Sequence, residues 1–209
     1  RDVREELLEA ATASFARFGY AGTSIEIIMR QTTVTRPMLY YHFKNKAGLF
    51  KAVVDHIYDE CFARMEAAAQ IDASVEEKLV EVATALFEYL GPRKEYTRLA
   101  IATAYASPEE LPEEVKGLEK GQRNFDVVAK LVQHGIVEAL FRSDCNPHAL
   151  IFGIYGVLNF YLMAAALSPD VLLDRSTARE MVDLFLRGAI DPASKTGEWV
   201  TATGEEATR

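Results

Sequence analysis

Residues 33–50 read TVTRPMLYYHFKNKAGLF and bring two tyrosines, a histidine and three basic residues close together. Thr35 can cap one helix, and Asn45 can cap the next. Leu39 and Phe43 lie four residues apart, so they share one face of the first of these helices. The stretch therefore predicts a short helix, followed at once by the start of another.

The residues just before this stretch predict a second short helix and a turn. Thr23 with Glu26 fits a capping box, which would start a helix at Ser24. The β-branched residues of QTTVT, residues 31–35, then disfavour its continuation. Two short helices around a tight turn form the helix-turn-helix pattern. An eight-residue helix is about 12 Å long, close to the roughly 12 Å width of the major groove of B-DNA.

Positive charge is concentrated on this part of the chain. The formal net charge of the 209 residues is −8, yet residues 1–51 hold eight Lys and Arg against five Asp and Glu. Between Thr23 and Lys51 the only acid is Glu26. An acidic protein would ordinarily repel a polyanion. Because the basic residues are clustered, we expect DNA to contact this segment and to be repelled from the rest.

Apolar residues recur at helical spacing through most of the chain, and no run alternates convincingly with a period of two. We predict a first helix that starts near Val3 and stops at Gly19, and a fourth that runs from Lys46 to about Gln70. Further helices are expected from 74 to about 90 and at 94–106, 112–142, 147–167 and 176–190. The sequence therefore predicts an all-α protein without a sheet.

Two segments carry a family resemblance, FARFGYAGTS at 15–24 and LYYHFKNKAGLF at 39–50. With their surroundings, over roughly residues 4–54, they resemble the N-terminal domain of the TetR family of bacterial transcriptional repressors. The resemblance implies an N-terminal three-helix helix-turn-helix DNA-binding domain, followed by a larger helical ligand-binding and dimerisation domain. The expected divisions are a DNA-binding domain at 1–50, a ligand-binding and dimerisation domain at 51–192 and a flexible tail at 193–209.

The family pattern also implies which residues meet double-stranded operator DNA. Phosphate contacts are expected from Thr23, Ser24, Tyr40, His42 and Lys46. Positions at or near bases are expected for Thr35, Arg36, Pro37 and Tyr41. An arginine can donate twice to guanine. A lysine in the first turn of a helix opposes the helix macrodipole, and a phosphate bound there would reverse that cost.

The turn of the motif departs from the family pattern. The family usually has a small residue and a glycine where this chain has Thr32 and Thr33, and an alanine where it has Met29. Threonine adopts a left-handed conformation only with strain, so we expect a displaced turn. The departure also supports an alternative hypothesis, a ligand sensor that has lost DNA binding.

The resemblance further implies an inducer pocket among the middle helices of each subunit. The candidate ligand-binding residues are Phe62, Met65, Phe87, Tyr89, Tyr96, Leu99, Thr103, Phe125, Val128, His134, Tyr155 and Asn159. An ordinary core position is the competing interpretation for each of them. Their aromatic and methionine content favours a small apolar or amphipathic effector. The candidates include no cluster of basic residues, which would have indicated a ligand with a phosphate group.

Residues 149–167, ALIFGIYGVLNFYLMAAAL, carry no charge. Such a run is long enough to span a bilayer, and a membrane-associated regulator that uses it as a span is the alternative. No Lys or Arg cluster flanks either end to set a topology, and an apolar helix can also be buried in a bundle. The family resemblance favours no membrane and a homodimer that pairs through 147–167 and 176–190.

The sequence gives little indication of a disulfide, a metal site or a catalytic site. Cys61 and Cys145 are too few for a disulfide framework or a zinc site, and they are typical of reduced cytoplasmic thiols. The remaining histidines have no metal-ligand spacing with them. We see neither a Ser–His–acid arrangement nor a glycine-rich phosphate loop. We therefore expect no enzyme, metal or cofactor, but a cytoplasmic, ligand-released repressor that binds a palindromic operator as a homodimer.

Overall fold

The computed structural model describes residues 2–107, 109–115, 119–141, 144–168 and 170–187. These residues form α-helices and one short 3-10 helix, and they contain no strand, which confirms the all-α prediction. The α-helices are α1 Val3–Gly22, α2 Ile25–Met29, α3 Arg36–Phe43, α4 Lys46–Ala69, α5 Val75–Leu90, α6 Lys94–Tyr105, α7 Glu119–Val137, α8 Pro147–Leu167 and α9 Arg175–Arg187. The 3-10 helix is Glu113–Val115.

Short polar side chains cap most of the helix starts. Ser24 Oγ accepts a hydrogen bond from the backbone N–H of Ile27, over 3.3 Å. Asn45 Oδ1 likewise accepts from the backbone N–H of Gly48, over 2.7 Å. Thr35 occupies the N-cap position of α3, but its side chain makes no capping hydrogen bond. The cap predicted at Asn45 is therefore confirmed, whereas the side-chain cap predicted at Thr35 is not formed.

The first helix does not stop at Gly19. Gly19 has a φ of 69°, which kinks the helix, and the helix resumes for one turn and ends at Gly22. Thr23 is the C-cap of α1, so the prediction that it opens α2 is wrong. Ser24 takes that role because its hydroxyl, rather than that of Thr23, reaches the first free N–H groups of α2.

The predicted helix at 112–142 is shorter than expected at both ends. Glu113–Val115 forms the 3-10 helix, and α7 begins only at Glu119. At the other end Ala139 has a φ of 56°, and the backbone N–H of Leu140 donates to the Gly135 carbonyl over 2.9 Å. A left-handed residue with this hydrogen bond ends the helix. The proposed tail at 193–209 lies outside the described residues.

The long helix α4 packs against most of the other helices. It contacts α1 and α3 near its start, and α5, α6 and α7 along the rest of its length. Helix α1 also packs on α6, and α8 lies against α6, α7 and α9. The buried apolar side chains form one cluster from Leu7 to Val182. The domain boundary at residue 50 would fall inside α4, and it stays a prediction.

Candidate functional site

The turn between α2 and α3 is held by a carboxylate from α1. Glu6 Oε1 accepts hydrogen bonds from the backbone N–H of Thr33, over 2.6 Å, and from its hydroxyl, over 3.0 Å. Neither Thr32 nor Thr33 has a positive φ. The strain that we expected from the missing glycine therefore does not arise, because the turn uses no left-handed residue.

Helix α3 buries one face and exposes the other. Leu39 is fully buried and Phe43 nearly so, against the core of the N-terminal helices. Tyr41 is 85% exposed and Tyr40 45% exposed. Thr35, Arg36, Pro37 and His42 are also exposed. The structure therefore presents six of the nine predicted DNA-binding residues on α3 and its N-cap.

Arg36 forms an ion pair with Glu26 on the preceding helix. Both side chains are about half exposed. The pKa of Glu26 is lowered by a hydrogen bond from its own backbone N–H, by the Ser24 hydroxyl and by Arg36. Ser24 is half-buried and caps α2. Glu26 was predicted as the capping-box partner of Thr23, but the structure pairs its carboxylate with Arg36 instead.

Two predicted phosphate contacts have structural partners instead. The Thr23 side chain is buried, and its hydroxyl donates to the carbonyls of Gly19, over 2.7 Å, and Ser14, over 3.2 Å. Lys46 Nζ donates to the carbonyls of Tyr20, over 2.9 Å, and Thr23, over 3.0 Å. It also lies 4.2 Å from the centroid of the Tyr20 ring.

These contacts argue against the predicted phosphate contact of Thr23, whereas that of Lys46 stays a prediction. Thr23 is too deeply buried to offer its hydroxyl to a phosphate. Lys46 opposes the macrodipole of α4, but its ammonium sits at the C-terminal end of α1, where a cation is favourable. Its position therefore does not require a phosphate. Two of its three N–H groups donate to these carbonyls, and the third could still donate to a phosphate.

A cavity of about 610 Å³ lies between α4, α6, α7 and α8, with a smaller contribution from α5. Its lining residues are Ile57, Tyr58, Cys61, Met65, Leu86, Leu90, Thr97, Ala100, Ile101, Ala104, Tyr105, Gly121, Gln122, Asn124, Phe125, Phe152, Tyr155, Gly156, Leu158, Asn159, Phe160, Leu162 and Met163. Its volume falls within the range of about 300–1,000 Å³ found for small-molecule sites.

Four of the twelve candidate ligand residues line this cavity: Met65, Phe125, Tyr155 and Asn159. The other eight lie outside its wall: Phe62, Phe87, Tyr89, Tyr96, Leu99, Thr103, Val128 and His134. Phe87, Leu99, Thr103 and Val128 are buried core positions, as the competing interpretation had it. The correction follows from helix orientation, because each helix turns only part of its apolar face toward the cavity.

The remaining candidates are engaged by charged or aromatic neighbours. The guanidinium of Arg123 lies 4.0 Å from the centroid of the Phe62 ring. Tyr89 is contacted by two arginines from outside, and its ring is 6.2 Å from that of Tyr96. His134 is half exposed and lies beside Glu138, one turn away. None of these four side chains lines the cavity.

The cavity is uncharged. None of the described residues that line it is Asp, Glu, Lys, Arg or His. Burial raises the pKa of Tyr58 to about 12, with smaller contributions from Tyr155 and Cys61. Burial also raises the pKa of the Cys61 thiol to about 12. Both groups therefore stay protonated and neutral near pH 7.

Sequence reasoning missed Ile57, Tyr58 and Cys61 on α4, although it predicted Met65 on the same helix. Tyr58, Cys61 and Met65 recur at helical spacing, so they share one face of that helix. The spacing could have grouped the three residues. It could not have shown that this face meets a cavity rather than another helix.

Helix α8 leaves large apolar side chains on the surface. Phe152 is 63% exposed, Phe160 62% and Val157 38%. Pro147–Leu167 is long and apolar enough to cross a membrane, and one third of its apolar window is buried by neighbouring helices. On α9, Leu184 is 56% exposed. The two C-terminal helices thus present apolar surface to the outside of a single chain.

Comparison with known proteins identifies relatives of this arrangement. Residues 7–53 match the family model described as bacterial regulatory proteins, tetR family. The HTH-type transcriptional repressor NicS of Pseudomonas putida is 29% identical over 99% of this chain and 91% of that protein. The HTH-type transcriptional repressor ComR of Escherichia coli is 39% identical over 51% of this chain and 44% of that protein.

A solved structure shows the same fold. FadR from Bacillus subtilis, in complex with stearoyl-CoA, superimposes with a TM-score of 0.76. The two chains are 18% identical, and the match covers 89% of this chain and 99% of that chain. At this level of identity the likeness establishes the fold alone, over the matched part of the chain.

Proposed function

We propose that this chain, which belongs to the TetR family of bacterial transcriptional regulators, is a repressor that a small molecule releases from its operator. Members of the family are DNA-binding transcription factors and not enzymes. In the proposal a homodimer binds a palindromic operator, and an apolar or amphipathic effector enters the cavity. A cytoplasmic location belongs to the same proposal.

The observation that carries the proposal is the exposed face of α3. Arg36, Tyr40 and Tyr41 point away from the core on a helix that a fixed turn holds in place. Recognition helices commonly meet base edges with their first turn, and Arg36 is the first residue of α3. Tyrosine hydroxyls further along the helix suit phosphate oxygens. The intact presentation of this face favours DNA binding over a sensor that has lost it.

A dimer is part of the proposal because one short helix makes too few contacts. Each good bidentate base contact contributes about 1–3 kcal/mol of discrimination. Specific binding at roughly 10⁻⁸ to 10⁻¹¹ M corresponds to about 11–15 kcal/mol. Two subunits on half-sites about 34–36 Å apart would supply the difference. The exposed apolar residues of α8 and α9 offer the surface for pairing, and they explain the apolar helix without a membrane.

The cavity can be linked to the DNA-facing helices through two of its walls. Its residues on α4 and α6 belong to helices that both pack on α1. The rings of His56 on α4 and Tyr96 on α6 are in edge contact, with centroids 6.1 Å apart. A ligand that shifts either helix would therefore change the position of α1 and α3. It can weaken DNA binding only by its differential affinity for the two conformations.

Selection of bound fragments from genomic DNA of the source organism tests the proposal. We expect recovery of a palindromic sequence, and the Arg36→Ala variant should lose discrimination at particular base pairs. Failure of the wild-type chain to select any sequence would support the sensor alternative. A chain that stays in the membrane fraction without detergent would instead support the membrane-associated regulator.

A further inference from the structure

A groove of about 930 Å³ lies on the surface between α1, the end of α2 and α6. Its lining residues are Ala13, Ser14, Ala16, Arg17, Phe18, Ile27, Arg30, Gln31, Glu95 and Arg98. None of them lines the cavity between α4, α6, α7 and α8. The groove is therefore separate from the site proposed for the apolar effector.

Three arginines from three different elements meet in this groove. Arg17 belongs to α1, Arg30 is the C-cap of α2, and Arg98 belongs to α6. All three are exposed, and within the described part of the chain none of them forms an ion pair. With Glu95 as the one acid, three positive charges against one negative charge give the lining a net charge of +2. Because like charges near one another repel, this lining favours an anion.

The arginines project from a frame that packing holds in place. Ser14 is fully buried, and Gln31 Nε2 donates to its hydroxyl oxygen over 2.7 Å, which joins α1 to the end of α2. Helix α6 packs on α1, and Arg98 Nη2 donates to the carbonyl of Ala166 over 3.4 Å. A site on preformed elements loses less ordering free energy when it binds a ligand.

Operator DNA is the competing occupant, because Arg17 and Arg30 belong to the basic segment of the chain. Helix α3, which carries the exposed face proposed to enter the major groove, contributes no residue to this groove. Arg98 lies on α6, outside the basic segment. A ligand that pairs with Arg98 as well as with Arg17 or Arg30 must sit between α6 and the first two helices. This position favours a small anion over a duplex that lies on α3.

We propose that the groove binds the phosphate groups of a small molecule that carries two or more negative charges, such as an organic diphosphate. Guanidinium groups donate in pairs to phosphate oxygens, and three of them suit an anion with several oxygens. Ala16, Phe18 and Ile27 give the groove an apolar side for the organic part of the molecule. The inference does not rest on the proposed function, because binding can be measured without DNA.

Calorimetric titration of the full-length protein with pyrophosphate at low salt tests the inference. We expect one pyrophosphate per chain with a dissociation constant below about 1 mM. Malonate, a dicarboxylate of lower charge, should bind at least about fivefold more weakly, because it offers the arginines fewer acceptor oxygens.

Single substitutions then locate the bound pyrophosphate. Arg17→Gln, Arg30→Gln and Arg98→Gln should each weaken binding about three- to fivefold, as expected for exposed ion pairs. Glu95→Gln should tighten binding about two- to threefold, because it removes the one repelling charge. Lys44→Gln is the matched control: it removes one exposed positive charge outside the groove, and binding should stay within about 1.5-fold of the wild type.

Several results would overturn the inference. They are no saturable binding of pyrophosphate, malonate binding as tight as that of pyrophosphate, or an equal loss in Lys44→Gln and Arg98→Gln, which would indicate general charge attraction. Weaker operator binding by Arg98→Gln without pyrophosphate would assign the groove to DNA instead. If pyrophosphate binds as expected but the chain selects no operator, the inference stands and the proposed repressor fails.

Discussion

At the scale of single residues, two carboxylates organise the DNA-facing surface. Glu6 holds the backbone and the hydroxyl of Thr33 in the turn. Glu26 pairs with Arg36 at the start of α3. Both acids lie within a basic part of the chain, where an unpaired carboxylate would repel DNA. Their hydrogen bonds give each a positioning role, because one sets the turn and the other sets the direction of an arginine.

The role of Glu6 can be tested by removing its carboxylate. Glu6→Ala should lower the free energy of unfolding by about 1 kcal/mol, since Thr33 would lose both hydrogen bonds. Operator affinity should fall with it, because the turn sets the angle of α3. Glu6→Gln keeps an acceptor oxygen and should retain most of both properties. Chemical denaturation and gel shifts would measure the two effects, and equal behaviour of the two variants would exclude this role.

Lys46 is expected to act mainly on stability. Lys46→Met removes two hydrogen bonds from the end of α1 and should cost about 1 kcal/mol of unfolding free energy at this half-buried position. Lys44→Met removes the same charge from an exposed neighbour and should change stability by less than about 0.5 kcal/mol. Denaturant titration of both variants checks this. A fall of about one per subunit in the salt slope of DNA binding, without loss of stability, would instead restore Lys46 as a phosphate contact.

At the scale of elements, a close contact fixes the angle between α3 and α4. A Cβ added at Gly48 would collide with the backbone carbonyl of Phe43. The Asn45 cap spans the same junction and joins the two helices within two residues. Glycine is therefore needed where α4 leaves α3. In the proposed repressor, this junction would let α4 carry a displacement from the cavity to α3.

The pairing of α8 and α9 between subunits can be tested with two exposed leucines. Leu184→Glu, on α9, should yield monomers that fold normally but bind the operator weakly, because the charge enters the proposed interface. Leu172→Glu is the matched control, since Leu172 is 68% exposed in the link between the two helices. Sedimentation would compare the variants. Dimers of unchanged affinity in Leu184→Glu would place the interface elsewhere.

The sequence predicted the positions of the helices better than it predicted which side chains line the cavity. Caps such as Asn45 and the spacing of Leu39 and Phe43 are local signals, so the short helices around the turn could be located before the structure. The end of α7 at Val137 had no such signal, because a left-handed alanine at 139 cannot be recognised from the local pattern. Cavity residues such as Asn124 depend on which helix faces meet, and that is a tertiary property.

At the scale of the whole molecule, the basic segment and the cavity lie at different positions along α4. The basic segment ends near Lys51, early in α4, and the cavity residues of α4 begin at Ile57. Helix α6 runs beside it and also reaches α1. The interior of the cavity is uncharged, so electrostatic attraction to DNA and ligand binding need not interfere directly. Under the proposed function, coupling between them would be mechanical, through shifts of α4 and α6.

This mechanical coupling can be separated from both binding events at Tyr96. Its ring contacts His56 on α4 and Tyr89 on α5, and it lies outside the cavity wall. A coupling of about 1–3 kcal/mol corresponds to a change of roughly five- to 150-fold in operator affinity on ligand binding. Tyr96→Ala should reduce that change to less than about threefold, because α6 would no longer follow α4.

With 1-decanol as an uncharged apolar probe of the cavity, the affinity of Tyr96→Ala for operator alone, and for 1-decanol alone, should stay within about twofold of the wild type, since both sites remain intact. Tyr96→Phe keeps the ring contacts and should keep the full coupling. Titrations of operator with and without 1-decanol, and of 1-decanol with and without operator, must give the same factor by reciprocity. Full coupling in Tyr96→Ala would mean that the signal reaches α3 through α4 alone.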